Sequence, residues 1–197
     1  MRRKTFDVLA IIGGLVLTLV LAVGGGLLLW GHNVVNDQVH TQLAAQKIVF
    51  PPASSSAIKE LPATDATAMK VYAGQLMTNG AQAKTYANHF IAVHLNKIGG
   101  GKTYSQLSAA SMAQPNNTAL AAQVQTVFKG ETLRGLLLNA YGWWQMGQLM
   151  LIGAWVTFGA AAALLILSVL GWVHLRRTPA EAEIFSGGTA RVPAHAS

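Results

Sequence analysis

The 197-residue chain reads as all-α: two antiparallel transmembrane helices with an extracytoplasmic helical bundle domain. Three observations predict that class. Two uncharged apolar runs stand near the two ends, at residues 8–30 and 147–173. Basic residues sit on the outer side of each run, Arg2, Arg3 and Lys4 before the first, Arg176 and Arg177 after the second. Between the runs, apolar residues recur at helical spacing, and no stretch alternates apolar with polar residues between turns as a strand would.

The first run, VLAIIGGLVLTLVLAVGGGLLLW, has no charge from Val8 through Asn36. As a helix its length comes to roughly 34 Å, enough to cross a hydrocarbon core. Cations stay on the cytoplasmic side, so residues 1–7 are expected to be a cytoplasmic N-terminus. A cleaved signal peptide is the rival reading. Its apolar part is normally about 7–15 residues and ends at a small-x-small site. This run is longer and finishes on three leucines and Trp30, which favours an uncleaved signal-anchor.

Residues 31–146 then face outward as an extracytoplasmic α-helical domain. Val35, Val39 and Leu43 continue a helical stripe beyond Trp30, and Pro51-Pro52 is expected to end it. Residues 53–64, with three serines and Pro62, read as a linker. Helices are predicted at about 66–78, stopped by Asn79-Gly80, and at about 81–98, stopped by three glycines. Ala87, Ile91, His94 and Ile98 form the expected buried stripe of the latter. Thr103 and Gln106 make a capping-box pair for a third helix to about Ala113. A fourth places Leu120, Val124, Val127 and Phe128 on one face, after a turn at Pro115, Asn116 and Asn117.

The second span is the stronger of the two. Between Arg134 and Arg176 there is no Lys, Arg, Asp or Glu, about twice the roughly 20 residues a span needs. Tyr141, Trp143 and Trp144 precede its apolar part and Trp172 closes it; with Trp30 they suit headgroup belts. Small residues at four-residue spacing, Ala10/Gly14, Ala22/Gly26 and Gly159/Ala163, offer faces for close helix approach. Residues 174–197 read as a cytoplasmic tail without periodicity, disordered by composition. Both termini are thus expected in the cytoplasm of a plasma-membrane protein.

Composition narrows the function. Charged residues are 11% of the chain against roughly 25% in a soluble domain, while 52% are hydrophobic. The net charge of +7 comes largely from the flanks of the two runs, so it reports topology and not nucleic-acid binding. The lipid bilayer is the expected partner, with a second copy or another membrane or envelope protein beside it. No cysteine is present, which removes disulfides, thiolate metal sites and cysteine nucleophiles.

No constellation points to catalysis, a cofactor or a metal. Gly99-Gly100-Gly101-Lys102-Thr103 resembles the end of a phosphate-binding loop, but the glycine that motif needs is Asn96 here, and a helix leads in where a strand should. A helix stop and a helix cap account for every residue in it. His89 and His94 differ by five, about 140° apart on a regular helix, too far to share an ion. His32 and His40 lie two turns apart. There is no G-x-S-x-G, and the four external acids, Asp37, Glu60, Asp65 and Glu131, are widely separated. Tyr72, Tyr86, Phe90 and Phe128 are expected in the core. Asn116-Asn117-Thr118 matches a glycosylation sequon.

The runs YANHFIAVHLNKIGGGKTYSQLS and VQTVFKGETLRGLLLNAYGWW resemble uncharacterised two-span membrane proteins of actinobacteria. The resemblance extends from the basic N-terminus through Arg177. It implies a bacterial membrane protein with the topology above. Some members are named aromatic ring-opening dioxygenases, which would imply non-haem iron held by histidine and carboxylate, but no such ligand spacing occurs here. The expected role is a structural or interaction protein presenting its outer domain to a membrane or envelope partner. The alternative is a ligand-binding sensory module that signals through a partner.

Overall fold

The computed structural model describes residues 3–177, with the backbone alone at Arg3; Arg2 and the tail from residue 178 lie outside them. Seven α-helices follow in order: α1 Arg3–Ala45, α2 Ser56–Lys59, α3 Ala63–Lys70, α4 Gly80–Tyr86, α5 Ala92–Gly99, α6 Tyr104–Ala113 and α7 Thr118–Arg177. A π-helical turn, Ala87–Ile91, joins α4 to α5. Among the described residues no strand forms, and a single bridge pairs Val49 with Leu76. The described residues are all-helical, as their patterning predicts.

α1 and α7 are long, at 43 and 60 residues, and each holds a stretch apolar and long enough to cross a membrane. None of the apolar window of α1 is buried within the fold, and only 11% of that of α7, unlike the core helix of a soluble protein. The chain divides into two compact units: Met1–Leu29 with Ile152–Ser197, and Trp30–Leu151.

In the first unit, large side chains point outward and small ones inward. Leu19, Trp155 and Val156 are about two-thirds exposed, whereas Ala154, Ala161 and Ser168 are buried. A methyl on Gly14 would collide with the Ser168 hydroxyl, and one on Gly25 with Thr157 and Phe158. One on Gly171 would press on Ile11, and one on Gly153 on Leu28. The buried small residues of α7 fall seven apart, the period of a helix seam. Gly26 and Gly159, which the four-residue spacing put on packing faces, meet nothing within 4 Å. Spacing alone does not say which small face is used. Thr18 and Thr157 donate their hydroxyls to the Gly14 and Gly153 carbonyls of their own helices, at 2.8 and 3.0 Å.

The second unit sorts the other way. Phe50, Ile58, Met69, Met77, Leu107 and Val127 are fully buried. Phe50 anchors the core: its ring packs against Tyr72 at 5.4 Å and edge-on against Tyr86 at 5.3 Å, and Tyr86 meets Phe90 at 4.9 Å. Such ring pairs stabilise beyond their buried area, by about 0.5–1.5 kcal/mol each.

Several boundaries differ from the sequence expectation, and each has a local cause. α1 stops at Ala45, short of Pro51, because Lys47 turns into the left-handed region at φ 54°. The helix expected at 66–78 ends at Lys70. Beyond it, Gly74 takes φ 73°, and residues 74–77 run beside residues 48–50. The amides of Phe50 and Met77 donate to the Gln75 and Ile48 carbonyls at 2.9 and 2.8 Å. That pairing satisfies the backbone while Phe50 and Met77 are buried. Asn79 therefore starts a helix instead of stopping one. Its side chain accepts from the Gln82 amide, and Gln82 reciprocates, a full capping box.

The π turn adds a residue to one turn and shifts the buried stripe of residues 81–98. Ala87, Ile91 and Leu95 are buried, while Ile98 is exposed. The glycine run behaves as read: Gly100 and Gly101 have φ 59° and 77°, and Thr103 with Gln106 caps α6. Asn117 caps α7 by accepting from the Leu120 amide at 3.0 Å. From there α7 runs unbroken through Gly130 to Arg177, so the fourth outer helix and the second span are one helix. Residues 174–177, assigned to the tail by composition, belong to it.

Candidate functional site

A large concavity lies in the second unit, between residues 34–48 and residues 133–143 of α7. Both segments are amphipathic, and their apolar stripes build the walls. Val39, Leu43 and Leu137 form a buried floor, and Leu136 and Trp143 stand on the rim, 63% and 58% exposed. Gln38, Gln42 and Gln46 follow one another at helical spacing along one edge, with Asn139 opposite. Gln42 donates to Gln38 at 3.1 Å. The volume is about 610 Å³, within the range of small-molecule and peptide clefts. Among the described residues no charged side chain lines it. It can take an apolar group and offer amide hydrogen bonds at its edge.

Three of the histidines each have a partner of their own. His32 pairs through Nδ1 with the Gly147 carbonyl at 2.9 Å, and His94 with the Phe90 carbonyl at 2.7 Å. His89 meets Asp65 at 2.7 Å, tying the π turn to α3. Among the described residues no group of three or more potential ligands could hold a metal ion. The His89–Asp65 pair is a contact that sequence spacing could not find, since 24 residues separate its members. Beside it, Arg134 donates to Glu131 and Asn88 at 3.4 and 3.3 Å.

The residues chosen for headgroup belts are not equivalent. Trp30 is 67% exposed, and Trp143 stands on the groove rim. Trp144 turns the other way and packs on Gly80, where a methyl would collide with its Cβ and Cγ. Tyr141 lies under Lys84, whose ammonium is 4.6 Å from the ring centroid and donates to the phenol oxygen at 3.3 Å. Trp172 carries the Arg176 guanidinium over its ring at 3.6 Å. Lys4 is half-buried and Arg177 exposed.

Sequence reading passed over Asp7. Its Oδ2 is buried without a hydrogen-bond partner, in a second cavity of about 260 Å³ in the first unit. An acid just inside a basic flank, seven residues before a close-packed glycine, was the available signal. Comparison with protein-family models, curated proteins and solved structures finds no match for this chain. The functional reading therefore stands on the geometry.

Proposed function

We propose that the chain is a two-span plasma-membrane protein, both termini cytoplasmic, whose outer helical domain docks an apolar segment of another membrane or envelope protein. The half-open groove of the second unit carries the docking reading: Leu136 and Trp143 stay exposed beside a buried apolar floor. Exposed apolar surface of this kind marks contact sites.

The bilayer reading is supported by the sorting in the first unit. Lipid gives large apolar side chains no reason to hide, so small residues make the helix contact. Antiparallel crossing is supported by the order of contacts, since Ile11, Gly14, Gly25 and Leu28 meet Gly171, Ser168, Thr157 and Gly153. Lys4, Arg176 and Arg177 suit the cytoplasmic face, and Trp30, Tyr141 and Trp143 the outer headgroup layer.

Because the chain has no cysteine, single cysteines test the topology cleanly. An impermeant maleimide on intact cells should label Lys59→Cys and Lys102→Cys and spare Lys4→Cys; the reverse pattern sinks the topology. For docking, a photocrosslinker at Leu136 in native membranes should give one discrete adduct that Leu133→Asn abolishes. A diffuse smear, or an adduct indifferent to Leu133, speaks against the groove. The four amides on the groove edge favour a second reading, a ligand-binding sensory module, which a melting-temperature shift with one small amphiphile would establish instead.

A further inference from the structure

The second cavity lies within the first unit, lined on α1 by Asp7, Ala10, Ile11 and Gly14, and on α7 by Leu164, Leu167, Ser168, Gly171 and His174. Its small residues leave about 260 Å³ open beside the buried Asp7 Oδ2, which has no hydrogen-bond partner. Ser168 is 93% buried, by its 7% exposure, and shares the cavity wall. His174 lines the same cavity and is itself engaged in an interaction. A buried carboxylate oxygen without a donor costs several kcal/mol in a low-dielectric setting unless a cation or a donor meets it.

Charge on either side of the cavity narrows the ligand. Lys4 lies three residues before Asp7 and Arg177 three after His174, so helical spacing puts a cation next to each cavity-lining face. A purely anionic headgroup would answer Lys4 and Arg177 and leave Asp7 unmet. A quaternary ammonium has no N–H to donate. We infer that this cavity binds the headgroup of a phospholipid bearing a primary ammonium, its N–H donating to Asp7 Oδ2 and its phosphate lying near Lys4 and Arg177. This rests on the two-span reading and is independent of the outer groove.

The test uses the full chain in nanodiscs of phosphatidylethanolamine, phosphatidylcholine and phosphatidylglycerol with identical acyl chains. Lipids that stay bound are read by native mass spectrometry. Ethanolamine lipid should be retained over choline lipid by about tenfold, the ratio one charge-assisted hydrogen bond supplies. Asp7→Asn should abolish that preference, while Asp7→Glu and the outer-domain variant Asp37→Asn keep it, all with wild-type helicity by circular dichroism. Equal retention of the two lipids, a preference that survives Asp7→Asn, or displacement of ethanolamine lipid by phosphatidylglycerol overturns the inference. Release of the lipid by soluble phosphoethanolamine would assign the cavity to a free amine and also overturn the lipid source. Recovery of the protein without detergent would instead sink the two-span reading, a separate failure.

Discussion

The two units use similar apolar residues in opposite ways. In the unit of residues 30–151, Phe50, Met69 and Met77 are hidden, and α4 and α6 are short helices closed by capping boxes. In the other unit, Leu19 and Trp155 are 66% and 70% exposed while alanine, glycine and serine occupy the contacts. Water drives large apolar groups inward because removing their surface is favourable. On the proposed two-span reading lipid does not, so close backbone approach decides what faces what. The contrast teaches that exposure of a leucine has two meanings, and that the neighbouring small residues tell which one applies.

Substitutions can break this contrast or sharpen it. The largest effect is expected from Phe50→Ala, which empties the centre of the outer core and removes two ring contacts. It should cost about 3–5 kcal/mol, read as a lower unfolding midpoint of the unit of residues 30–151. Next, Leu19→Lys and Val71→Lys place one charge at two positions of similar exposure, 66% and 64%. The first should weaken membrane insertion by roughly 2.5–3.5 kcal/mol in a glycosylation-reporter assay. The second should stay within about 0.5 kcal/mol of wild type, as surface changes in water do. Equal costs would erase the distinction between the units.

Smaller effects follow from the glycines and caps. Gly14→Leu should loosen the first unit, where Ser168 blocks added bulk, and Gly13→Leu should not, because nothing lies within 4 Å of it. An overpacking cost of about 1–3 kcal/mol would separate the two in an SDS titration. Asn79→Ala should cost the outer domain about 1 kcal/mol through the lost cap.

The smallest expected effect is a titration. Burial raises the Tyr86 pKa above its ordinary 10.0, since desolvation penalises the phenolate. The folded state therefore holds its proton where the unfolded state has lost it. Stability should be flat with respect to this group below pH 10 and fall as pH rises above it; Tyr86→Phe should remove that fall.

The absence of charge from Val8 through Asn36, and between Arg134 and Arg176, determined by itself that the chain holds two helices able to cross a membrane. Thr103 with Gln106 and the glycines before them fixed a helix boundary, because a cap closes within one turn of chain. Tertiary structure alone decided the rest. Pairing of residues 48–50 with 74–77 cut one expected helix short, and the π turn moved the buried stripe to Leu95. It chose the face holding Ala154, Ala161 and Ser168 over Gly159, brought Asp65 to His89, and opened both cavities. Local periodicity sets which residues share a helix face, but only the mutual packing of distant segments selects which face is covered and leaves a carboxylate oxygen without a donor.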